Sequence, residues 1–400
     1  SDDVNEINPD VLGYVFEQLV NSKESGAYYT KEDVTGYMTS ATVLPAFLDH
    51  IAPVAGGPWG LLVENPDRYI HDSVRHGYEL ELPAPVAAGL VDPSKRNRWQ
   101  SKASADLALP TENWWEVVDR RGQYEKTLQL LSGGGVSGAS AAVTVGVDLR
   151  LLVVDHLAGL SDMESLQHSF KCLEELSVLD PTCGSGAFLF SALELLAELY
   201  STVLERAEEL TDHGESPPSF LMAARDHPNR NYFILRLAAM NNIFGVDLME
   251  EAVEIARLRL FLKLAAQVQD RLHLEPFPDL DLNIKAGNLL VGVASAEDAS
   301  RRVSKDIFGA AEVERLEGAA SHVGDLYREF RMLSVASGDP FEIRELKAGL
   351  SEQLDQLRSS VDLFLFEARS EAGGIEDWTE SHRPFHWFVE FPSVFSAGGF

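Results

Sequence analysis

Apolar positions recur three and four residues apart along most of the chain, and in three places that rhythm gives way to short unbroken apolar runs. Val11, Leu12, Val15, Phe16, Leu19 and Val20 keep helical spacing behind Pro9, which predicts a helix within residues 1–22. Thr30, with Asp33 three residues on, has the form of a cap for a helix over Lys31–Tyr37. From Thr39 to Gly133 the pattern is broken by Pro53, Gly56, Gly57, Pro58, Pro66, Pro83, Pro85 and Pro93, leaving helices at Ala41–Ile51 and Trp114–Leu131. Val145–Leu160 and Met163–Leu176 read as two more helices. The first apolar run, Val178-Leu179, reads as the end of a buried strand that stops at Asp180 and Pro181. After Gly184, Ser185 and Gly186, the stretch Ala187–Tyr200 has no Pro or Gly and is long enough for a helix. A polar loop over Thr211–Arg230, a helix Tyr232–Met240, a strand Asn242–Asp247, an amphipathic helix Glu250–Ala266 and a strand Leu280–Ala286 follow. Strand alternating with helix implies a parallel sheet. Beyond Ala294, Val313–Leu333 and Phe341–Phe366 keep helical spacing amid dense charge, predicting a long helical hairpin. Its charged face is either solvated or a surface for a partner subunit or DNA.

The turn between the first strand and its helix is the place for chemistry. Glycines there can take positive φ and let a ligand approach the backbone, and the helix start offers N–H groups and a positive dipole end. A phosphate loop would need Gly-Lys-Ser/Thr, but the chain has Gly186-Ala187-Phe188. A dinucleotide fingerprint would need a third glycine where Leu189 stands. A turn that holds no ligand is the remaining reading from these residues alone. The run Asp-Pro-Thr-Cys-Gly-Ser-Gly-Ala-Phe, Asp180 to Phe188, closely resembles the S-adenosylmethionine-binding motif of DNA methyltransferases that modify adenine N6. More narrowly it is similar to the large methylases of type IIG restriction–modification enzymes and of PglX-like (BREX) phage-defence systems. That cofactor carries a cationic sulfonium and an amino-acid tail, so a lysine would repel it and a carboxylate such as Asp180 suits it.

The resemblance extends to other segments and implies roles for them. Gly-Ala-Tyr-Tyr-Thr, Gly26 to Thr30, reads by itself as an ordinary loop and cap; in the family it lies across the methionine end of the cofactor. Tyr28, Tyr29 and Thr30 are thereby implied as cofactor contacts, with a ring face for the sulfonium. Gly245 to Ala256 resembles the second family motif, in which Asp247 would grip the ribose hydroxyls; the same residue could be a simple helix cap. Asn288 stands where the family places an Asp or Asn on the cofactor's adenine, and it can both donate and accept. Leu248 or Leu289 would pack on that ring. The implied cofactor set is Tyr28, Tyr29, Thr30, Asp180, Pro181, Thr182, Gly184, Gly186, Asp247, Leu248 and Asn288, with no metal required. Leu109 to Trp115 also resembles a family segment, without assigned chemistry. Phe385 to Phe400 resembles what precedes the family's fourth strand, which leads to an Asn-Pro-Pro-aromatic tetrapeptide that holds the flipped adenine. The chain contains no such tetrapeptide. The expectation is that the catalytic motif lies beyond Phe400, that none of the catalytic residues belongs to this chain, and that the chain is the N-terminal part of a larger polypeptide.

Composition then narrows the picture. With 400 residues, 45% of them hydrophobic, two or three domains are expected. Two cysteines, Cys172 and Cys183, offer no disulfide framework or metal spacing. No apolar run looks long enough for a membrane and no signal segment is visible, so an intracellular, cytoplasmic protein without membrane contact is predicted. Against 33 basic residues stand 63 acidic ones, a net charge of −30, which repels DNA overall. Either DNA is not the partner or the gripping parts lie elsewhere; the C-terminal resemblance favours the second. The densest basic cluster, Lys95, Arg96, Arg98 and Lys102 around Trp99, is either a phosphate-backbone contact or a solvated loop.

The expected fold is α/β, an incomplete class I S-adenosylmethionine-dependent methyltransferase (Rossmann-like, with a parallel sheet). The expected order is a helical region with the cofactor-closing motif (1–131), the cofactor-binding core (140–293), a helical insertion (294–380) and a lead-in to the catalytic strand (381–400), with Ser132–Gly138 as a flexible joint. The implied reaction is methyl transfer to adenine N6 in double-stranded DNA, in restriction–modification or phage defence, with defence-system subunits as further partners. The alternatives are a methyltransferase acting on RNA, protein or a small molecule, and a non-catalytic cofactor-binding or assembly subunit.

Overall fold

The three apolar runs come together as a parallel sheet in a fold that is otherwise helical. The computed structural model describes residues 13, 15, 30–267, 279–302, 310–335, 339–369, 374–396 and 398–400. They divide into two compact units, one of residues 40–169 and one of residues 1–39 with 170–400. The expected joint Ser132–Gly138 falls inside the first of these, where Gly135 N–H bonds back to Leu130 O at 2.9 Å.

Helix α1, Glu32–Ala55, runs through the two stretches expected as separate helices, with Pro45 and Pro53 inside it. Val43, Leu44, Phe47, Leu48 and Ile51 are all buried along one stripe, and that packing outweighs the hydrogen bonds the prolines cannot make. Unit 40–169 continues with α2 (Trp59–Glu64), α3 (Ala84–Val91), α4 (Trp114–Ser132), α5 (Ala139–Thr144), α6 (Leu149–Ala158) and most of α7 (Met163–Glu175). Asn113 starts α4: its side chain accepts from Trp115 N at 2.9 Å, while Glu116 reaches back to Asn113 N at 2.8 Å.

In the other unit the order is β1 (Val178–Asp180), α8 (Ala187–Asp212), α9 (Ser219–Asp226), α10 (Arg230–Asn241), β2 (Ile243–Asp247), α11 (Glu250–Ala265) and β3 (Ile284–Ala286). The strands lie side by side as β1-β2-β3, all parallel, with Asp180 opposite Gly245 and Asp247 opposite Ala286. β2 is central and Ile243 to Val246 are buried, as a strand covered on both faces requires. Gly245 is needed there because a Cβ would stand 2.8 Å from Leu189 of α8. Four further expectations are corrected. α8 continues to Asp212 because Val203, Leu204 and Ala207 prolong its buried stripe. It is thus long and apolar enough to span a bilayer, contrary to the sequence reading, but 61% of its most apolar window is buried in the fold. α9 occupies part of the expected loop, held by buried Leu221 and Ala224. β3 is shorter than expected because the backbone turns at Asn283, where Asn283 N and Ile284 N both bond to Leu280 O.

After β3 come α12 (Ala296–Arg302), then α13 (Ala310–Val335) and α14 (Pro340–Arg369), which form the expected hairpin, then α15 (Ile375–His382), α16 (Trp387–Glu390) and α17 (Pro392–Ser396). Leu316, Val323, Tyr327 and Phe330 pack with Leu350, Leu354, Leu357 and Val361 inside the hairpin. The chain returns to the sheet by a parallel bridge between Asn288 and Pro384 and by a bond from Trp387 N to Val293 O of 2.9 Å. Phe385, Phe391 and Val394 then pack on Phe244 and Val246 of β2.

A buried ionic network ties α14 to β3 and α16. Glu390 accepts from Lys285 Nζ at 2.8 Å and from Arg358 Nε at 2.7 Å. Burial alone would raise the Glu390 carboxyl, but the two cations hold it at about 2. Glu390→Gln would leave the buried Lys285 without its anion and Arg358 with Asp355, and urea unfolding at pH 7 should show a loss of about 3–5 kcal/mol. Since the folded carboxyl lies near 2 and an ordinary one near 4.5, its stabilisation is complete above pH 4.5 and fades as the pH falls through 2. The advantage of the unchanged protein over Glu390→Gln should shrink across that window; a constant advantage would contradict an ionised network.

Candidate cofactor-binding site

The carboxyl ends of the three strands share one edge, and the candidate residues lie along it: Asp180 closes β1, Asp247 closes β2, and Asn288 follows β3 by two residues. Between β1 and α8 the chain turns through Gly184 at φ +51° and Gly186 at φ +87°, both left-handed, where a side chain would be strained. Gly186 is also the residue before α8, and a Cβ on it would stand 3.1 Å from Ala256 of α11. The turn is stitched to β2: Cys183 N donates to Val246 O at 2.9 Å, and Gly186 N closes back on Cys183 O at 2.8 Å.

Asp247 joins the two strand–helix turns. Its Oδ2 accepts from Gly184 N and its Oδ1 from Met249 N, each at 2.9 Å. Asp180 Oδ1 accepts from Thr182 N at 3.0 Å. Burial raises the Asp180 carboxyl above its usual value, the Thr182 N–H opposes this, and the Asp247 charge adds to it. Burial likewise pushes the Cys183 thiol well up, so it is an unreactive side chain beneath the turn. Asn288 is fixed by its backbone, N–H to Arg383 O at 2.7 Å, and its Oδ1 accepts from Leu290 N at 3.1 Å.

Pro181 and Thr182 are exposed at the tip of the turn. Leu248 is 56% exposed, whereas Leu289 packs against the Phe244 cluster and its neighbour Leu290 is 91% exposed. Of the two leucines expected to pack on the cofactor's ring, Leu248 is exposed and Leu289 lies against the cluster around Phe244; in the Leu289-Leu290 pair only burial tells which one packs. Thr30 is half-buried just before α1, and Tyr28 and Tyr29 lie outside the described residues. Arg259 went unnoticed in the sequence. It is 5% exposed on α11, and its Nη1 donates to Ser185 O at 2.7 Å and Ser185 Oγ at 3.1 Å. Its place on the stripe of Ala252, Val253, Ala256 and Leu260 was the available signal.

The basic cluster belongs to unit 40–169. Trp99 is 2% exposed and packs against Gly89, so its ring is not available to a base. Arg96 donates to Gly89 O at 2.8 Å and lies over the rings of Trp99 and Trp115, and Lys95 pairs with Asp92 at 3.6 Å. Arg98 and Lys102 are exposed.

The edge thus offers a positive-φ turn backed by the buried Arg259, two carboxylates, an amide and two exposed leucines. That set suits a nucleoside with a cationic tail: carboxylates for hydroxyls and positive charge, an amide for a base edge, apolar faces for its ring. A separate cavity of about 430 Å³ beside β3 is walled by Glu250, Arg257, Lys285, Arg358, Arg383 and Glu390 among others, and includes neither Gly184 nor Asp247.

Residues 158–289 match the family described as MmeI, DNA-methyltransferase domain, and residues 241–400 match the Eco57I restriction-modification methylase. A protein of Methanocaldococcus jannaschii named as a type II restriction enzyme and methyltransferase is 22% identical over 300 residues, which cover 72% of this chain and 17% of that protein. The chain therefore spans less than a fifth of that relative's length. No solved structure matches the chain. The strand–glycine turn–helix, the carboxylate closing β2 and the two overlapping matches agree: between residues 158 and 400 the chain is similar to the DNA methyltransferases of restriction–modification systems.

Proposed function

We propose that this chain binds S-adenosylmethionine along the carboxyl edge of its sheet, as part of an enzyme that methylates adenine N6 in double-stranded DNA in restriction–modification or phage defence. The observation that carries the reading is the bond from Gly184 N to Asp247 Oδ2 at 2.9 Å, which puts the glycine turn and the β2 carboxylate in one site. Among the described residues nothing stands within 4 Å of where a Gly184 Cβ would project, so the turn has room for a ligand. The cofactor supplies an electrophilic methyl group on a cationic sulfur. Asp247 accepts the ribose hydroxyls, Asn288 meets the adenine edge, and Leu248 and Leu290 flank the ring. Asp180, Pro181, Thr182, Gly184 and Gly186 shape the tail end, over which Tyr28, Tyr29 and Thr30 close. In this reading the sheet belongs to a Rossmann-like class I domain, with 294–380 as an insertion.

Adenine N6 as the target rests on the Asp180-to-Phe188 run. An exocyclic amine with a delocalised lone pair must be drawn out of the base stack and aligned with the methyl group. DNA as the substrate is supported by the name of the methanogen relative, and Arg98 and Lys102 are the exposed cations for a phosphate contact. The net charge of −30 favours a second reading, a cofactor-binding subunit that does not itself hold DNA.

Calorimetry with S-adenosylmethionine should show binding by the 400-residue chain, weakened about 100-fold by Asp247→Ala as two bonds to a charged acceptor are lost. No binding by the unchanged chain would defeat the proposal. Incubating the full-length protein with unmethylated DNA and methyl-labelled cofactor should give labelled N6-methyladenine. Label on cytosine would refute the adenine target, and cofactor binding without labelled DNA would favour the subunit reading.

A further inference from the structure

Helix α11 places an arginine where its own pattern calls for an apolar residue. Arg259 sits on the inward stripe between Ala256 and Leu260 and is 5% exposed. A guanidinium in that position is costly unless its donors are used. Its Nη1 donates to the Ser185 carbonyl at 2.7 Å and to the Ser185 hydroxyl at 3.1 Å. Its flat face covers the Phe190 ring at 4.6 Å, and a Cβ on Gly13 would run into it, so the space around it is close-fitted.

Ser185 is the residue between the two left-handed glycines and is 1% exposed. A Gly-Ser-Gly segment has many backbone conformations of similar energy, so something must select one. The peptide before Gly184 is held at both ends, its N–H on Asp247 Oδ2 and its carbonyl on Gly186 N. The peptide after Ser185 is held likewise, its carbonyl on Arg259 and its N–H on Cys183 O. With both neighbours pinned, the ends of the Gly184–Ser185 peptide are held in place between the two left-handed glycines. Asp247 is thus the anchor on the ribose side of the turn, and Arg259 is the anchor on the side where α8 begins.

Resting on the cofactor reading above, we propose that Arg259 is a positioning residue for the amino-acid end of S-adenosylmethionine, acting through Ser185. The start of α8 carries the positive end of a 26-residue helix with no side-chain cap, which suits the carboxylate of that tail. The nucleoside part lies on Asp247 and Asn288, whereas Arg259 donates to Ser185.

A merely structural arginine would affect every ligand of the site alike, and this separates the two roles. Calorimetry on the 400-residue chain should compare S-adenosylmethionine with 5′-methylthioadenosine, which keeps the nucleoside and lacks the amino-acid tail. Arg259→Gln should weaken S-adenosylmethionine about tenfold, the value of one well-placed hydrogen bond, and methylthioadenosine less than about twofold. Arg259→Lys keeps the cation and one donor and should recover S-adenosylmethionine to within about threefold of the unchanged chain. Equal weakening of both ligands, or none for S-adenosylmethionine, overturns the proposal. Should circular dichroism show that Arg259→Gln does not fold, Arg259→Lys takes its place in the comparison, and equal weakening of both ligands again overturns the proposal. If the unchanged chain binds neither ligand, the cofactor reading falls and this inference falls with it; if it binds both and the variants lack selectivity, only the role of Arg259 is lost.

Discussion

One carboxylate, Asp247, sets the geometry of the sheet edge. It ends the central strand and accepts a backbone N–H from each of the two strand–helix turns, Gly184 on one side and Met249 on the other. Bonds to a charged acceptor are stronger than neutral ones, and here they do a job that β1, three residues long, could not do through its own ladder. Two residues after the held Gly184, the left-handed Gly186 has no Cβ to meet Ala256, so α11 comes close to the start of α8. One side chain at the end of β2 thus ties both strand–helix turns to the same edge.

The parts of this arrangement that are local in sequence could be read from sequence. The three strands, their order along the chain and the glycine turn announce themselves through unbroken apolar runs and their punctuation. So did the α13–α14 hairpin, through its helical spacing. What could not be read depended on partners distant in the chain. Pro53 looked like a break and lies inside α1, whose stripe from Val43 to Ile51 is buried. Trp99 looked like an aromatic within a basic patch, and is a core residue closed off by Gly89. Leu289 and Leu290 are indistinguishable as letters, yet one packs and the other stands in solvent. Arg259 was invisible because a charged residue on a helix is by default assigned to its wet face, and only the fold shows Ser185 waiting for it.

The acidity of the chain takes on a more specific meaning in the structure. Buried cations are engaged within the fold, Lys285 on Glu390, Arg120 on Glu112 and Arg259 on Ser185, while the chain as a whole carries a net charge of −30. Of the densest basic cluster, Arg96 and Lys95 are already engaged within the protein, so any attraction to a polyanion must come from few exposed groups such as Arg98 and Lys102.

The helical hairpin departs from the sheet after Val293 and comes back at Pro384 and Trp387, where two backbone contacts clasp its outgoing and incoming strands together. The neck is not its only tie: Arg236 of α10 donates to Ser334 O at the end of α13, Tyr327 donates to Asn283 Oδ1 beside β3 at 2.9 Å, and Lys347 of α14 pairs with Asp279 and Asp281. The hairpin is therefore splinted along its length. An insertion in α13 or α14 would pull first on α10 and on the lead-in to β3, and through them on the edge that carries Asp247 and Asn288.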